Sequence, residues 1–538
     1  MQRLGRVSLK DQSSVRSTRG PSLIKMAFLL TASILPQSST HLFISLLVAT
    51  LFYYLVLGVY RLTLHPLAQA AIPGPKLAAF TWLWEFYVEV INRKHLKPVI
   101  LRDQLRKRYG PVVRINLDEV HIHDKDLYLE VFKMGSKFYK SNRFYMCFAS
   151  DYSVFNVSDP RDHRNKRAAL SPLFSQRAVF ELESVIQDKI DHMMRKMSEL
   201  SSTGKSVNFH FIFRAVTIDI VTDFCYAEPY NQLDAPAFLG RHVVSLETNA
   251  MMLPIFKNIR WLGWLLAALP LWIMKLIEPE GAGNAEMLRS ARAHVKKLVD
   301  DRSVLSSSKH TTVFEKLLEL FPHPDEHTLT YLTQEANTLI TAGSETTASV
   351  LEVGLFRILQ NRSILDRLLS ELKEAIPDVT VTPKYAKLKT LPYLTGCVKE
   401  ALRHTYGVLG ALPRVVPEGG IEVQGYKIPA GTVIGMDSYS LHHDESIYLD
   451  SHAFKPERWL NSAPEMEQFL ASFSNGTRQC IAINLAYAEL YMLLANVIRR
   501  WEVTPYDGFS EADFEYEDVW LHSLSKQNLA GLVKPRRD

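Results

Sequence analysis

The architecture predicted from the sequence is a single N-terminal membrane helix followed by a large, helix-bearing body, either two domains or one large enzyme fold. Three observations predict it. At 538 residues the chain exceeds the range in which one hydrophobic core is usual, with ample length to enclose a cofactor. From Ala27 to Tyr60 no Asp, Glu, Lys or Arg occurs, and HLFISLLVATLFYYLVLGVY (His41 to Tyr60) provides the roughly 20 residues that a spanning helix requires. Between Leu332 and Leu359, apolar residues recur at helical spacing through Leu339, Ile340, Val350, Leu351, Val353, Leu355 and Phe356. Hydrophobic residues at 47% and charged residues at 22% are ordinary for a globular protein, which excludes collagen-like, repetitive and disordered classes.

Residues 1–40 form a basic leader, in which Arg3, Arg6, Lys10, Arg16, Arg19 and Lys25 against Asp11 supply all of the net charge of +5. The remainder is formally neutral and has no basic stripe, so nucleic acid is set aside as a partner. Two accounts of the leader compete. A start at Met26 would remove its charge from the mature protein, whereas its Arg- and Ser-rich, acid-poor makeup also suits a mitochondrial transit peptide. With the start at Met26, Arg61 and Lys76 follow the anchor, and positive residues keep to the cytoplasmic side, so the body faces the cytosol. The transmembrane anchor occupies 41–60, with Phe52, Tyr53 and Tyr60 suited to an interfacial end. A proline-rich neck over 61–75, carrying Pro66, Pro73 and Pro75, stiffens the chain ahead of the catalytic body at 76–538.

Four cysteines, Cys147, Cys225, Cys397 and Cys480, are too dispersed for a disulfide scaffold or a structural zinc site. A lone cysteine is ordinarily a small buried hydrophobe, and that reading holds for the first three. Cys480 keeps different company. It lies in FSNGTRQCIAINLAYAE, after Phe473, Gly476 and Arg478 and ahead of an apolar helix-like run. The pattern F-x-x-G-x-R-x-C fixes four letters and arises by chance in roughly 0.3% of chains of this length. The sequon Asn475-Gly476-Thr477 falls inside it; if this is a buried active-site loop, a glycan at Asn475 has no room, which favours a body outside the secretory lumen.

Further motifs are individually weak. Ala342, Gly343, Ser344, Glu345, Thr346 and Thr347 put poor helix formers into the middle of the Leu332 to Leu359 helix. They fit close helix packing, or a groove beside a small ligand lined by an acid and an alcohol that pass protons. Glu400 and Arg403 stand three apart on a helix face, ordinarily a solvated pair of little worth, and Arg458 lies in the turn-like FKPERW.

Taken in the order A-G-x-E-T-T, E-x-x-R, P-E-R-W and F-x-x-G-x-R-x-C, these motifs resemble the cytochrome P450 family of haem-thiolate monooxygenases, over roughly Pro73 to Pro535. The segments HPLAQAAIPGPK, DPRDHRNKRAALSPLFS and ELKEAIP resemble its fungal, membrane-anchored, secondary-metabolism branch. The resemblance implies a mainly α fold with a small β region behind the membrane helix, and haem b as cofactor. By the same likeness Cys480 would be the axial thiolate ligand of haem iron, with Phe473 shielding it and Gly476 supplying the bend that points backbone N–H groups at sulfur. Arg478, Arg414 in LPRVVP, His163 and Arg167 would pair with the propionates. For His163 and Arg167 the plain alternative is a basic helix surface shared with Arg161, Arg164 and Lys166. Glu345 and Thr346 would manage protons during oxygen activation, Ala342 and Gly343 would open the groove, and Glu400, Arg403 and Arg458 would form a structural triad serving folding and haem retention.

Electrons would come from NADPH through an NADPH-cytochrome P450 reductase, with cytochrome b5 as an optional second donor, at the endoplasmic reticulum membrane. The expected reaction is hydroxylation or epoxidation of a lipophilic small molecule, a terpenoid or polyketide. WLGWLLAALPLWIM (Trp261 to Met274) is too short to span a bilayer and is either a core segment or a loop dipping into the membrane face. Two rival functions remain at this stage. One is a haem-thiolate isomerase or dehydratase needing no external electrons, against which Glu345 and Thr346 weigh; the other is a non-catalytic haem sensor or carrier. Ala482 departs from the family pattern, adding a methyl where Gly is usual at the turn into the helix after Cys480.

Overall fold

The computed structural model describes residues 39–92, 98–148, 150–259, 283–306, 308–381, 383–506, 516–518, 522–524 and 528–536, with isolated positions between 261 and 273. The basic leader up to residue 38, including Met26, lies outside the described residues. The chain divides into two compact units, Met1–Arg61 and Leu62–Asp538. In the first, helix α1 (Ser39–Thr63) exposes Leu42, Phe43, Leu46, Leu47, Leu51 and Phe52 along its length. Within it the Thr50 hydroxyl donates to Leu46 O at 2.7 Å, so that polar group is satisfied inside the helix. Among the described residues, this is the one helix long and apolar enough to cross a membrane.

The second unit is mainly helical. Its principal helices are α2 (Pro98–Tyr109), α3 (Pro160–Leu170), α4 (Glu183–Ser202), α5 (Phe209–Tyr226), α6 (Arg241–Asn258), α7 (Gly283–Asp300), α8 (Glu326–Gln360), α9 (Arg362–Ala375), α10 (Pro392–Thr405) and α11 (Ile483–Arg500). Local chemistry starts several of them. Asp159 accepts from the N–H groups of Arg161 and Asp162 with Pro160 in the first turn of α3, Asp325 caps α8 through Thr328 N, and Asn361 caps α9. Nearly every side chain of α5 is buried as it packs along α8, the apolar majority against the core and the polar His210, Arg214 and Asp219 against partners of their own. Gly343 of α8 is part of that contact, because a Cβ there would stand 2.9 Å from Val221 Cγ2. The close-packing reading of this glycine is therefore the structural one.

The β region is small. Strands β1 (Val112–Arg114), β2 (Glu119–Ile122), β3 (Tyr139–Lys140), β5 (Arg414–Val415) and β8 (Val433–Gly435) form one sheet in the order β1-β2-β8-β5-β3, with β2 and β8 parallel. Strands β4 (Val207–Asn208), β12 (Ala530–Pro535) and β9 (Trp501–Pro505) form a second; β6 (Ile421–Val423) with β7 (Tyr426–Ile428), and β10 (Tyr516–Asp518) with β11 (His522–Leu524), form hairpins. One large apolar core runs through α4, α5, α8, α10 and α11, and a second lies under the five-stranded sheet. Cys147, Cys225 and Cys397 are buried within the body. Of the Trp261 to Met274 segment, Trp261, Leu265 and Trp272 are exposed, which does not suit a core segment at those positions; Gly263, Trp264, Leu266, Ala267, Ala268, Leu271 and Met274 lie outside the described residues.

Candidate functional site

The loop before α11 is folded by its own backbone. Cys480 N donates to Phe473 O at 2.9 Å and Gln479 N to Gly476 O at 3.1 Å, while the Phe473 ring lies 5.3 Å from that of Tyr487. Gly476 has φ +68°, and a Cβ on it would meet Phe132 O at 2.2 Å and Lys133 O at 2.4 Å. Its bend thus also seats the loop against the chain around Phe132. Ala482 is the N-cap of α11 with φ −94°, a negative φ that does not require glycine. Cys480 itself is exposed among half-buried neighbours. Its apolar surroundings push the thiol up, opposed by the N–H of Ala482 and the charge of Arg167.

Five basic side chains converge beside this loop. Arg167 Nη1 donates to Gln479 O at 2.7 Å, and Arg478 donates to Val157 O at 2.6 Å and Ser158 O at 3.0 Å, just ahead of the cap of α3. On β5, Arg414 Nη1 donates to Tyr145 Oη at 2.9 Å and sits 4.9 Å above the Phe132 ring. Opposite Arg414 in register is Lys140, whose Nζ lies 4.0 Å over the rings of Tyr145 and Phe155. His163 is 2% exposed and its Nδ1 is buried without a hydrogen-bond partner.

These groups repel one another. Burial, then Arg414, Arg478 and Arg167, push Lys140 well below its usual range; burial, then Arg478, Lys140 and Arg167, push His163 down to about 3. Burial, then Arg414, brings Arg478 down to about 10. Among the described residues, no carboxylate is ion-paired to any of the five. Like charges gathered out of water without counter-charge are costly, so the cluster is built for an anion. Lys140 was not foreseen in the sequence. Its only signal is its pairing with Arg414, which is tertiary.

Helix α8 separates the expected acid and alcohol. Ala342 is exposed and Thr346 half-buried on one face, with Thr346 Oγ1 donating to Ala342 O at 2.8 Å. Glu345 is buried on the other side. Arg214 of α5 grips it through Nε to Oε2 at 2.8 Å and through Nη2 to Oε1, and Ser349 Oγ adds a bond of 3.1 Å. Glu352, also bound to Arg214 at 3.3 Å, has His210 Nδ1 at 2.8 Å. Burial tends to raise the Glu352 carboxyl, but His210 and Arg214 prevail and bring it to about 2.

The family model described as Cytochrome P450 matches residues 75–529. The chain belongs to the cytochrome P450 family. Curated relatives are monooxygenases of fungi: cytochrome P450 monooxygenase macH of Penicillium terrestre is 33% identical, covering 90% of this chain and 96% of its own length. The corresponding values for tpcC of Cochliobolus heterostrophus are 34%, 91% and 93%, and those for tryptophan 6-hydroxylase fscE of Fusarium equiseti are 32%, 84% and 88%. The P450 is thus an oxidoreductase of the monooxygenase kind, and its family implies a haem cofactor.

Two more features of the P450 bear on the site. Glu400 and Arg403 of α10 are fully buried, joined by bonds of 3.0 and 2.7 Å, and Glu400 also accepts from Arg458 Nε at 3.1 Å and Trp459 Nε1 at 2.8 Å. The solvated-pair reading of Glu400 and Arg403 does not hold. Arg403 further donates to His442 O and Ser451 O, His442 Nδ1 donates to Arg403 O at 2.8 Å, and Ala471 N donates to His442 Nε2 at 2.9 Å. A continuous polar chain therefore runs from the triad to the residue two before Phe473. Burial raises the Glu400 carboxyl, yet His404 and Arg403 hold it far below the usual range. The second feature is a cavity bounded by Trp84, Leu101, Leu105, Phe144, Phe148 and Leu253, which reaches Pro413, the neighbour of Arg414.

Proposed function

We propose that this P450 binds haem b through the Cys480 thiolate, takes electrons from NADPH by way of a P450 reductase, with cytochrome b5 as an optional donor, and hydroxylates or epoxidises a lipophilic small molecule. The observation that carries the reading is the Cys480 loop lying beside five basic side chains to which, among the described residues, no carboxylate is ion-paired. The residues suit a group that is at once a metal centre needing a thiolate and a dianion needing cations. Arg167, Arg414, Arg478, Lys140 and His163 hold the propionates, the buried Nδ1 of His163 having a bond to give. The Ala482 N–H and Arg167 favour the thiolate over the thiol. Phe473 and Tyr487 keep the sulfur side apolar, and Gly476 fixes the loop.

Haem, once bound, supplies activation of O2, so that one oxygen atom enters the substrate and the other leaves as water at the cost of two electrons and two protons. Thr346 holds a proton at Oγ1 on the exposed face of α8, poised over Ala342 O. Glu345 acts through its pair with Arg214, which fixes the register of α5 against α8. The Glu400, Arg403 and Arg458 triad holds the chain from His442 to Ala471 and thereby retains the cofactor. The aromatic and leucine side chains of the cavity support a lipophilic substrate of the terpenoid or polyketide kind, and hydroxylation is the activity named for the Fusarium equiseti relative. Residues 41–60 anchor the protein, 61–75 form the neck and 76–538 the catalytic domain, at the endoplasmic reticulum membrane with the body in the cytosol; the helix Ser39–Thr63 supports the anchor.

The test is substrate-dependent NADPH oxidation by the holoprotein with a P450 reductase, in a host fed apolar precursors. An oxygenated product formed in proportion to NADPH supports the reading. Conversion without NADPH would point to an isomerase or dehydratase, and no turnover with haem bound would point to a sensor or carrier.

A further inference from the structure

One carboxylate in the cavity is left over. Glu119 of β2 lines it, and among the described residues no ion pair or hydrogen bond reaches its side chain. The other charges are matched. Glu85 binds Arg143 at 2.8 Å and Lys257 at 2.7 Å, Glu89 binds Lys257 at 2.7 Å and Asn258 at 3.1 Å, and Arg102 binds Asp437 at 3.2 Å. Around Glu119 the attraction of Lys257 and Arg143 is opposed by the repulsion of Glu85 and Glu89, so burial prevails and lifts its carboxyl to about 6.

The backbone makes room for this group. In the parallel pairing of β2 with β8, Gly435 stands where a Cβ would come 3.2 Å from Glu119 Oε1 and 3.1 Å from Ala411 Cβ. The cavity also adjoins the cationic cluster, since Phe144 and Pro413 in its wall precede Tyr145 and Arg414, which bond at 2.9 Å. A ligand lying among the aromatic and leucine side chains thus meets, among the described residues, one anionic group without a partner, on β2.

We propose that Glu119 is the polar anchor of the substrate, and that the lipophilic molecule this P450 takes carries a cationic nitrogen that pairs with the Glu119 carboxylate in the cavity. This rests on the monooxygenase reading and refines its substrate class from apolar to apolar with one positive charge. Taking a half-buried carboxylate further from water is favourable only if a cation or strong donor replaces the water, and the cations of the wall are engaged elsewhere, Lys257 by Glu85 and Glu89 and Arg102 by Asp437. The same charge disfavours carboxylic acids, so selection works by repulsion as well as attraction.

Three probes of equal chain length separate the possibilities: decyltrimethylammonium, 1-decanol and decanoate. Their dissociation constants are measured by equilibrium dialysis against the full-chain holoprotein, with haem occupancy checked by the absorbance of the reduced carbon monoxide complex. Partition into detergent is common to parent and variants and cancels in ratios between them. The parent should hold the ammonium about ten- to a hundredfold more tightly than the alcohol, with decanoate weakest. Glu119→Gln should bring the ammonium-to-alcohol ratio down at least tenfold, and Gly435→Ala, which crowds the carboxylate without removing it, should lower it in the same direction. Equal affinities in the parent, or a ratio unchanged in Glu119→Gln, would overturn the inference. Should Glu119→Gln fail to take up haem, the ratio in Gly435→Ala decides. A parent without the thiolate-haem absorbance would instead overturn the monooxygenase reading itself, so the two failures are distinct.

Discussion

Replacing Arg214 with Met withdraws the guanidinium that neutralises two buried carboxylates. The Arg214 and Glu352 side chains are each 2% exposed and that of Glu345 is 9% exposed, so water cannot take over the lost bonds. Breaking a buried pair by removing one partner costs roughly 3–5 kcal/mol, mostly from the charge left behind. Domains of 150–250 residues shift by about 2–4 °C per kcal/mol, and a larger body by about half that, so Tm should fall by roughly 3–10 °C. Glu345→Gln is milder, because its amide oxygen still accepts from Arg214 and Glu352 still balances the guanidinium. In the double variant the penalties overlap, and the loss should fall short of the sum by at least about 1 kcal/mol. Thermal melts of the four haem-loaded proteins, followed by circular dichroism, complete the cycle. An Arg214→Met protein melting with the parent, or strictly additive losses, would refute the idea that this pair is a unit locking α5 to α8.

Three other outcomes are expected. Arg403→Lys keeps the charge but offers three donors at one point where Arg403 serves Glu400, His442 O, Ser451 O and Ala453 O; at least two buried acceptors go unmatched, costing roughly 2–6 kcal/mol and lowering haem occupancy of the purified protein. Gly476→Ala must adopt φ near +68° with its methyl against Phe132 O, so haem content should drop by more than half, whereas Ala482→Gly, at φ −94°, should keep it; haem-to-protein ratios decide both. Stability should decline in acid. His442 is lowered by burial from 6.5 to about 3, and Glu400 is held below its ordinary 4.5. Both groups bind protons more readily unfolded, so their contribution is complete above pH 6.5 and is lost as pH falls from 6.5 toward 3, with Glu400 adding its share below 4.5. Urea midpoints rising with acidification would contradict this.

Much of the site was legible because its signals are local. The Phe473 to Cys480 pattern is a contiguous loop, and α8 shows itself by apolar spacing from Leu332 to Leu359, nearly eight turns, so fold and cysteine followed from short-range order. What escaped depended on tertiary pairing. Lys140 joins the cationic cluster only because β3 pairs with β5 and brings it opposite Arg414. Glu345 and Thr346 are adjacent in sequence, yet successive residues on a helix face about 100° apart, and Arg214, distant in sequence, claims the acid. The Glu400 and Arg403 spacing fits a surface pair as well as a buried one, and their burial is decided by the turn carrying Arg458 and Trp459. Glu119, likewise, has nothing about it in sequence to mark a cavity wall.

The central claim is that Cys480, as thiolate, binds haem iron in the cradle formed by the Cys480 loop and its five basic neighbours. It is tested most directly by the absorbance of the reduced carbon monoxide complex of the purified full chain and of Cys480→Ser. The account predicts the thiolate-haem signature in the parent and its complete loss in Cys480→Ser, with Cys147→Ser, Cys225→Ser and Cys397→Ser unchanged. A parent lacking that signature while loaded with haem, or a Cys480→Ser protein that keeps it, would contradict the account.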